Sequence, residues 1–254
     1  MRASVKGRRS LTSFLILVPA LIGGAHLRAA SAQTATASVP VDPARALLSR
    51  MRAACGGEAW DRVQGWSESG RLEAPGRPSL HYEVLRDMRT LKNVYMNHLG
   101  SRVVGMTGYD GVRLWRLGRE GKIETTDDDA ILRKRRRHAY LGSFGYFLPD
   151  RFAATFSVRE RQTLEGRGYD VLRVTPADAE SADLWIDIET SRIARIVVEG
   201  ETAVPSDYRT FDGVCVPTKV RQTDGTAPNE VTLHLESVRT GPVQATALMG
   251  RQRE

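Results

Sequence analysis

The chain has 254 residues, 41% hydrophobic and 26% charged, with 37 Lys and Arg against 30 Asp and Glu and a formal charge of +7. That composition excludes a disordered or fibrous chain, and two cysteines are too few for a disulfide framework. The basic balance is local: residues 1–32 hold Arg2, Lys6, Arg8, Arg9 and Arg28 and no acid, which leaves 32 basic against 30 acidic residues in the rest, so no nucleic-acid partner is implied.

The chain opens like an export signal. Lys6, Arg8 and Arg9 precede an apolar run from Phe14 to Gly24, too short to span a bilayer, and Ala30-Ser31-Ala32 offers a small-x-small cleavage pattern. Cleavage after Ala32 is expected, with a retained membrane anchor as the alternative. Arg8-Arg9-Ser10-Leu11 partly matches a twin-arginine signal, and no cysteine follows the apolar run to carry a lipid. The product is expected to be periplasmic or secreted. Residues 33–41, rich in small polar residues and Pro, read as a tether.

A helix is predicted next. Asp42 is a suitable N-cap, Pro43 a favoured first-turn residue, and Ala44, Leu47, Leu48, Met51, Ala54 and Cys55 recur at helical spacing until Gly56-Gly57 stop them. The period then becomes two. Leu80, Tyr82 and Val84 alternate with polar residues, as do Leu184, Ile186 and Ile188, and Val231, Leu233 and Leu235. Such alternation marks strands with one apolar and one solvated face. Turn signals fall at Asp110-Gly111, Glu120-Gly121, Gly166 to Gly168, Asp212-Gly213 and Asp224-Gly225. Roughly ten strands of a meandering antiparallel sheet are predicted.

Residues 127–148 break this rhythm. Asp127 to Asp129 suit a helix N-terminus, or a cation site, and Arg133 to Arg137 follow. Tyr140, Leu141, Phe144, Phe147 and Leu148 then surround Gly142 and Gly145 before Pro149. The segment reads as an inserted helix with an irregular aromatic end. Residues 42–239 are expected to form one domain and 240–254 a loose tail. The predicted class is α+β, mostly antiparallel β: a curved sheet forming a half-open barrel whose concave face the two helices cover. An outer-membrane barrel would need an apolar outer band between aromatic girdles, and none is evident.

Catalytic and metal patterns are missing from the sequence. His81, His98, His138 and His234 form no H-x-x-x-H or H-E-x-x-H, and Gly142-Ser143-Phe144-Gly145 lacks the spacing of a nucleophile elbow. No catalytic residue, metal or cofactor is expected. Cys55 and Cys215 could close a disulfide between the first helix and a late strand, or remain two buried thiols. Arg133, Arg135, Arg136 and Arg137 read as a lid or partner contact, to anionic headgroups or an acidic protein. The solvated face of a helix is the plainer reading of the same run. Tyr82, Val84, Trp115, Phe144 and Phe147 are the candidates to face a ligand.

Several blocks in order resemble the periplasmic lipoprotein-carrier family, the LolA/LolB-like proteins. They are the ALLSRM helix, Ser69-Gly70-Arg71-Leu72, the strand pair around Tyr82 to Arg89, and Tyr109 to Trp115. Leu184 to Thr190 and Ser206 to Gly213 follow. The resemblance covers most of residues 42–239. It implies a curved sheet and helical lid around a cavity for acyl chains, and a buried arginine that helps hold the lid, for which Arg86 and Arg89 lie in about the right strand. The expected partner is a hydrophobic or acylated ligand, with an envelope protein or membrane surface as a further contact, bound by a monomeric, non-catalytic protein. The alternative is an interaction or scaffold module that uses the Arg-rich helix.

Overall fold

Thirteen strands form one antiparallel sheet that curves without closing, seen in a computed structural model that describes residues 42–118, 120–225 and 230–244. The signal and tether expected over 1–41, and the tail from 245 onward, lie outside the described residues.

Helix α1 (Pro43–Ala54) starts as its sequence predicts: the Asp42 carboxylate accepts from the Ala44 amide at 3.0 Å, and Ala44, Leu47 and Met51 form the buried stripe. A 3-10 turn, Gly57–Arg62, leads into the sheet. Six strands run outward: β1 (Gly65–Glu73), β2 (Leu80–Asp87), β3 (Asn93–Leu99), β4 (Arg102–Tyr109), β5 (Leu114–Leu117) and β6 (Ile123–Thr126). Helix α2 (Asp129–Gly142) follows, with a 3-10 turn at Gly145–Phe147. Seven strands then return: β7 (Ala154–Leu164), β8 (Arg167–Pro176), β9 (Ala182–Asp187), β10 (Ile193–Val198), β11 (Glu201–Phe211), β12 (Val214–Thr223) and β13 (Glu230–Arg239). The turn signals read from the sequence fall between paired strands, except that Arg167 and Gly168 already belong to β8.

The spatial order β6-β5-β4-β3-β2-β1-β13-β12-β11-β10-β9-β8-β7 explains the architecture. The chain enters at the middle, walks to one edge, and must reach the opposite edge before walking back. The segment containing α2 makes that crossing. The last strand then pairs with the first, from Ser67 opposite Arg239 to Glu73 opposite Thr232, around a bulge at Ser69/Gly70. A twisted sheet of this width curls, and its concave face has to be covered.

Part of that face is filled solid. Leu47 and Met51 of α1 share a buried cluster with Leu172 and Val174 of β8 and Leu184 and Ile186 of β9. Arg50 adds an ion pair to Asp170 of β8 at 3.0 Å. The centre of the cluster is aromatic. Trp60 and Trp66 are stacked with centroids 6.3 Å apart and planes 11° from parallel, and Phe144 and Phe147 lie 5.0 and 5.1 Å from Trp60. The Trp60 indole donates to the Cys55 carbonyl at 2.8 Å, so the ring also fixes the end of α1.

The expected inserted helix is confirmed but shorter than 127–148. Asp128 caps α2, its carboxylate accepting from the Ile131 amide at 3.0 Å, so the acidic cluster serves the helix start. Ile188 departs from its predicted parity. Asp187 accepts from the Glu189 and Thr190 amides and turns the chain after β9, leaving Ile188 exposed.

Trp60→Ala is expected to cost about 3–5 kcal/mol, because it removes a fully buried indole and unpins the end of α1. Urea unfolding followed by circular dichroism measures it, and a loss below about 1 kcal/mol would contradict this account of the core.

Candidate functional site

The rest of the concave face is not filled. A cavity of about 690 Å³ lies between the sheet and the α2 segment, within the size range of small-molecule sites. One wall is aliphatic: Ile196 of β10, Val220 of β12, and Val231, Leu233 and Leu235 of β13. This is the apolar parity that the sequence showed for β13, while Thr232, His234 and Glu236 take the other face. The roof is the second half of α2, with Leu141 and Gly142, followed by Phe144, Tyr146 and Phe147.

Four of the five residues expected to face a ligand line this cavity: Tyr82, Val84, Phe144 and Phe147. Phe144 has φ 50°, unusual for a bulky residue. Its ring sits 5.4 Å from Trp66, wedged against the indole stack. Trp115 is not with them. Pairing sets Trp115 opposite Gly108, Gly108 opposite Val94, and Val94 opposite Leu85, one step out of phase with Tyr82 and Val84. Trp115 therefore packs on the other face, in a cluster with Val94, Leu85, Met106 and Val243. Gly108 makes this possible, since a Cβ there would come within 2.3 Å of the indole.

The polar end of the cavity is built from strands β1 to β3 and α2. Arg86 is 6% exposed and meets Glu68 through both ends of its guanidinium, at 2.9 and 3.0 Å. Glu68 also accepts from the Trp66 indole at 2.6 Å. Burial alone lowers the affinity of Arg86 for its proton, but Glu68 and Tyr95 together outweigh it and hold the group above its ordinary value. Of the two arginines that the family resemblance suggested, Arg86 is the buried one, beside Gly142 at the end of α2. Arg89 is exposed and paired only with Asp87.

The Arg-rich run is only in part the solvated face that the sequence allowed. Arg133 and Lys134 are exposed, but the rest grip the protein itself. Arg135 donates to the Asn93 side-chain oxygen and stacks 4.9 Å over the Tyr95 ring. Arg136 donates to the Asp178 carbonyl at 3.1 Å, and Arg137, 2% exposed, pairs with Glu180. A solvated helix face is thus corrected to one that ties α2 to β3 on one side and to the β8–β9 hairpin on the other. Burial, partly offset by Tyr95 and reinforced by the charge of Arg86, holds Arg135 below its ordinary value.

Cys55 and Cys215 are both free and buried, and both line the cavity. The Cys215 amide donates to the Cys55 carbonyl at 3.0 Å, so the end of α1 meets β12 through the backbone and not through a disulfide. Burial, with the neighbouring Cys215, pushes the Cys55 thiol up to about 12. Burial also raises the phenols of Tyr82 and Tyr146. Raised in this way, these groups are held in their protonated, uncharged forms near neutrality. Among the described residues no group of three His, Cys, Asp or Glu could hold a metal, and no helix is long and apolar enough to cross a membrane.

Several solved structures share this fold. A DUF1329 family protein from Desulfovibrio piger superposes with a TM-score of 0.58 at 10% identity, covering 83% of this chain and 98% of its own. A LolA superfamily protein from Nitrosomonas europaea gives 0.55 at 14% identity, over 81% and 96% of the two chains. A domain from Vibrio parahaemolyticus described as an outer-membrane lipoprotein-sorting protein gives 0.54 at 11% identity, over 79% and 94%. No protein-family model matches the chain, and no curated protein matches it by sequence. The chain has the LolA-like half-barrel fold that its sequence blocks suggested.

In the native reduced protein at about pH 8, Cys55 is expected to alkylate far more slowly than a free thiol, because the thiolate is a small minority below its raised pKa. Mass spectrometry after iodoacetamide treatment checks this. Fast native labelling of Cys55, equal to that after unfolding, would contradict the buried-thiol geometry.

Proposed function

We propose that the protein acts in the cell envelope as a non-catalytic binder, and carrier, of a lipid or of the acyl chain of a modified protein. The observation that carries the reading is the unfilled 690 Å³ space on the concave face, walled by aliphatic residues of β10 to β13 and closed by an aromatic roof. Cavities this large are unusual in a packed interior, which otherwise reaches crystal-like density. Partition of a chain into it would yield about 0.8 kcal/mol per buried methylene. The neutral phenols, the raised thiol and the export signal read from residues 1–32 support a binding role outside the cytoplasm over a chemical one. The LolA-like fold agrees with that role, although fold alone does not assign it. Release would follow displacement of the roof, whose Phe144 backbone is held in a strained region by packing on Trp60 and Trp66.

Organic extraction of the purified protein, with native mass spectrometry, is expected to show co-purifying lipid or saturable uptake of a palmitoyl probe. Leu233→Trp, which places an indole in the aliphatic wall, is expected to lower that uptake about tenfold or more while the unfolding midpoint changes little. A wild-type protein that neither carries lipid nor takes up the probe would overturn the reading.

A further inference from the structure

Two arginines line the cavity, and they differ in counter-charge. Arg86 has Glu68. Arg135 has no such partner. Its partners are the Asn93 side-chain oxygen and the Tyr95 ring, and no carboxylate pairs with it among the described residues. Its Nε is buried and makes no hydrogen bond. The Nε of Arg86 is in the same condition. The two guanidiniums lie 4.9 and 5.4 Å from the centre of the same tyrosine ring. Tyr95 accepts from Arg86 at 3.5 Å, which leaves its own O–H as a donor. All three side chains line the cavity.

With Glu68 neutralising Arg86, this end of the cavity carries one uncompensated positive charge and unused donors from three residues. A buried cation without a counter-charge is costly, and an anion seated there would relieve that cost. Gly142 keeps the approach clear, since a Cβ on it would stand 3.2 Å from the Tyr95 hydroxyl and 3.3 Å from Arg86 Nε. The other end of the cavity is aliphatic; of the remaining acids on the lining, Glu201 and Asp224 are exposed and Glu83 faces His81 and His98 at 3.7 and 3.9 Å. An occupant that matches both ends has an apolar chain and an anionic head.

We propose that the ligand is an anionic amphiphile, an acyl chain ending in a carboxylate or a phosphate. Its head is bound by Arg135 together with the Arg86 Nε and the Tyr95 hydroxyl, while its chain runs along β10 to β13. This rests on the acyl-binding reading above and specifies the class of ligand. Arg135 supplies the charge, so that neutral and anionic chains of equal length are distinguished by this residue. Charge-assisted hydrogen bonds in a low-dielectric site are stronger than neutral ones.

The test is titration of the full chain, below the aggregation threshold of each probe and at low salt, with palmitate, palmitoyl lysophosphatidic acid and neutral monopalmitoyl glycerol. Intrinsic tryptophan fluorescence gives the readout, to which Trp66 contributes from the cavity lining. At least one anionic probe is expected to bind about tenfold more tightly than the neutral one, and which one it is separates a carboxylate from a phosphate head. Arg135→Gln is expected to bring the ratio near one with neutral binding little changed. Arg135→Lys, which keeps the charge, retains most of the preference, and Arg133→Gln, on the exposed face, leaves it intact. Equal binding of neutral and anionic chains by the wild type, or an undiminished ratio in a folded Arg135→Gln protein, overturns the anionic subsite while the acyl-binding reading stands. Binding of none of the three overturns that reading itself.

Discussion

The route of the chain through its sheet is the constraint from which the other features follow. Because β1 lies in the middle and β6 and β7 lie at opposite edges, the segment between them must cross the open side. Antiparallel neighbours need only short hairpins, and twelve adjacent pairings here arise from hairpins or from the closure of β13 on β1. The crossing alone needs a long connection. It supplies α2, and α2 lies where a curled sheet most needs a cover. Topology therefore places a roof over the concave face, and the Arg-rich run anchors it. Arg135 holds β3 in the first half of the sheet, whereas Arg136 and Arg137 hold the β8–β9 hairpin in the second. The same helix joins both halves through charged contacts at its flanks, which leaves its underside free to face the cavity.

An unclosed sheet also has two edges with unpaired backbone groups, and such edges invite association with other chains. Each is blunted by a different device. Strand β6 is only four residues long. Strand β7 is eleven residues long, but a bulge between Arg159 and Gln162 interrupts its pairing, at the charged stretch Arg159-Glu160-Arg161. A bulge bends and twists an edge, and charge opposes apposition of a second strand. The half-barrel can thus stay open without exposing a long regular edge.

Much of this was legible in the sequence, for a physical reason. Period-two alternation reports burial on one face, so Tyr82 and Val84, and Val231, Leu233 and Leu235, were correctly placed on apolar faces. The start of both helices was readable because Asp42 and Asp128 act locally, on amides two and three residues away. What was not legible is non-local. Trp115 has the composition of a cavity residue, but its face is set by pairing through Gly108 to Val94, a register that alternation within one short strand does not carry. The run from Arg133 to Arg137 looks like a solvated stripe because its partners, Asn93, Asp178 and Glu180, are about 42 residues away in the chain. Arg86 and Arg89 differ in burial for a simpler reason: β2 ends at Asp87, so Arg86 still points inward while Arg89 lies in the turn.

The charge of the whole chain and the charge inside it obey different rules. On the surface, Arg and Lys pair with acids in high dielectric, and a unit of imbalance has little energetic consequence. Arg135 lies where that tolerance ends, between a tyrosine ring, a second guanidinium and an apolar cavity. Tyr95 offsets part of the burden through its π face, as aromatic rings do for cations, and Asn93 through its carbonyl oxygen, but neither carries a full negative charge. Replacing Arg135 by an apolar residue would remove the burden and lose the Asn93 anchor, one contact among the several that fix α2. Retaining a half-buried cation without a counter-charge for that contact is a costly way to hold a helix that Arg136 and Arg137 already tie down. An anion from outside the chain would offset that cost, and the cavity that Arg135 lines is a space from which one could reach it.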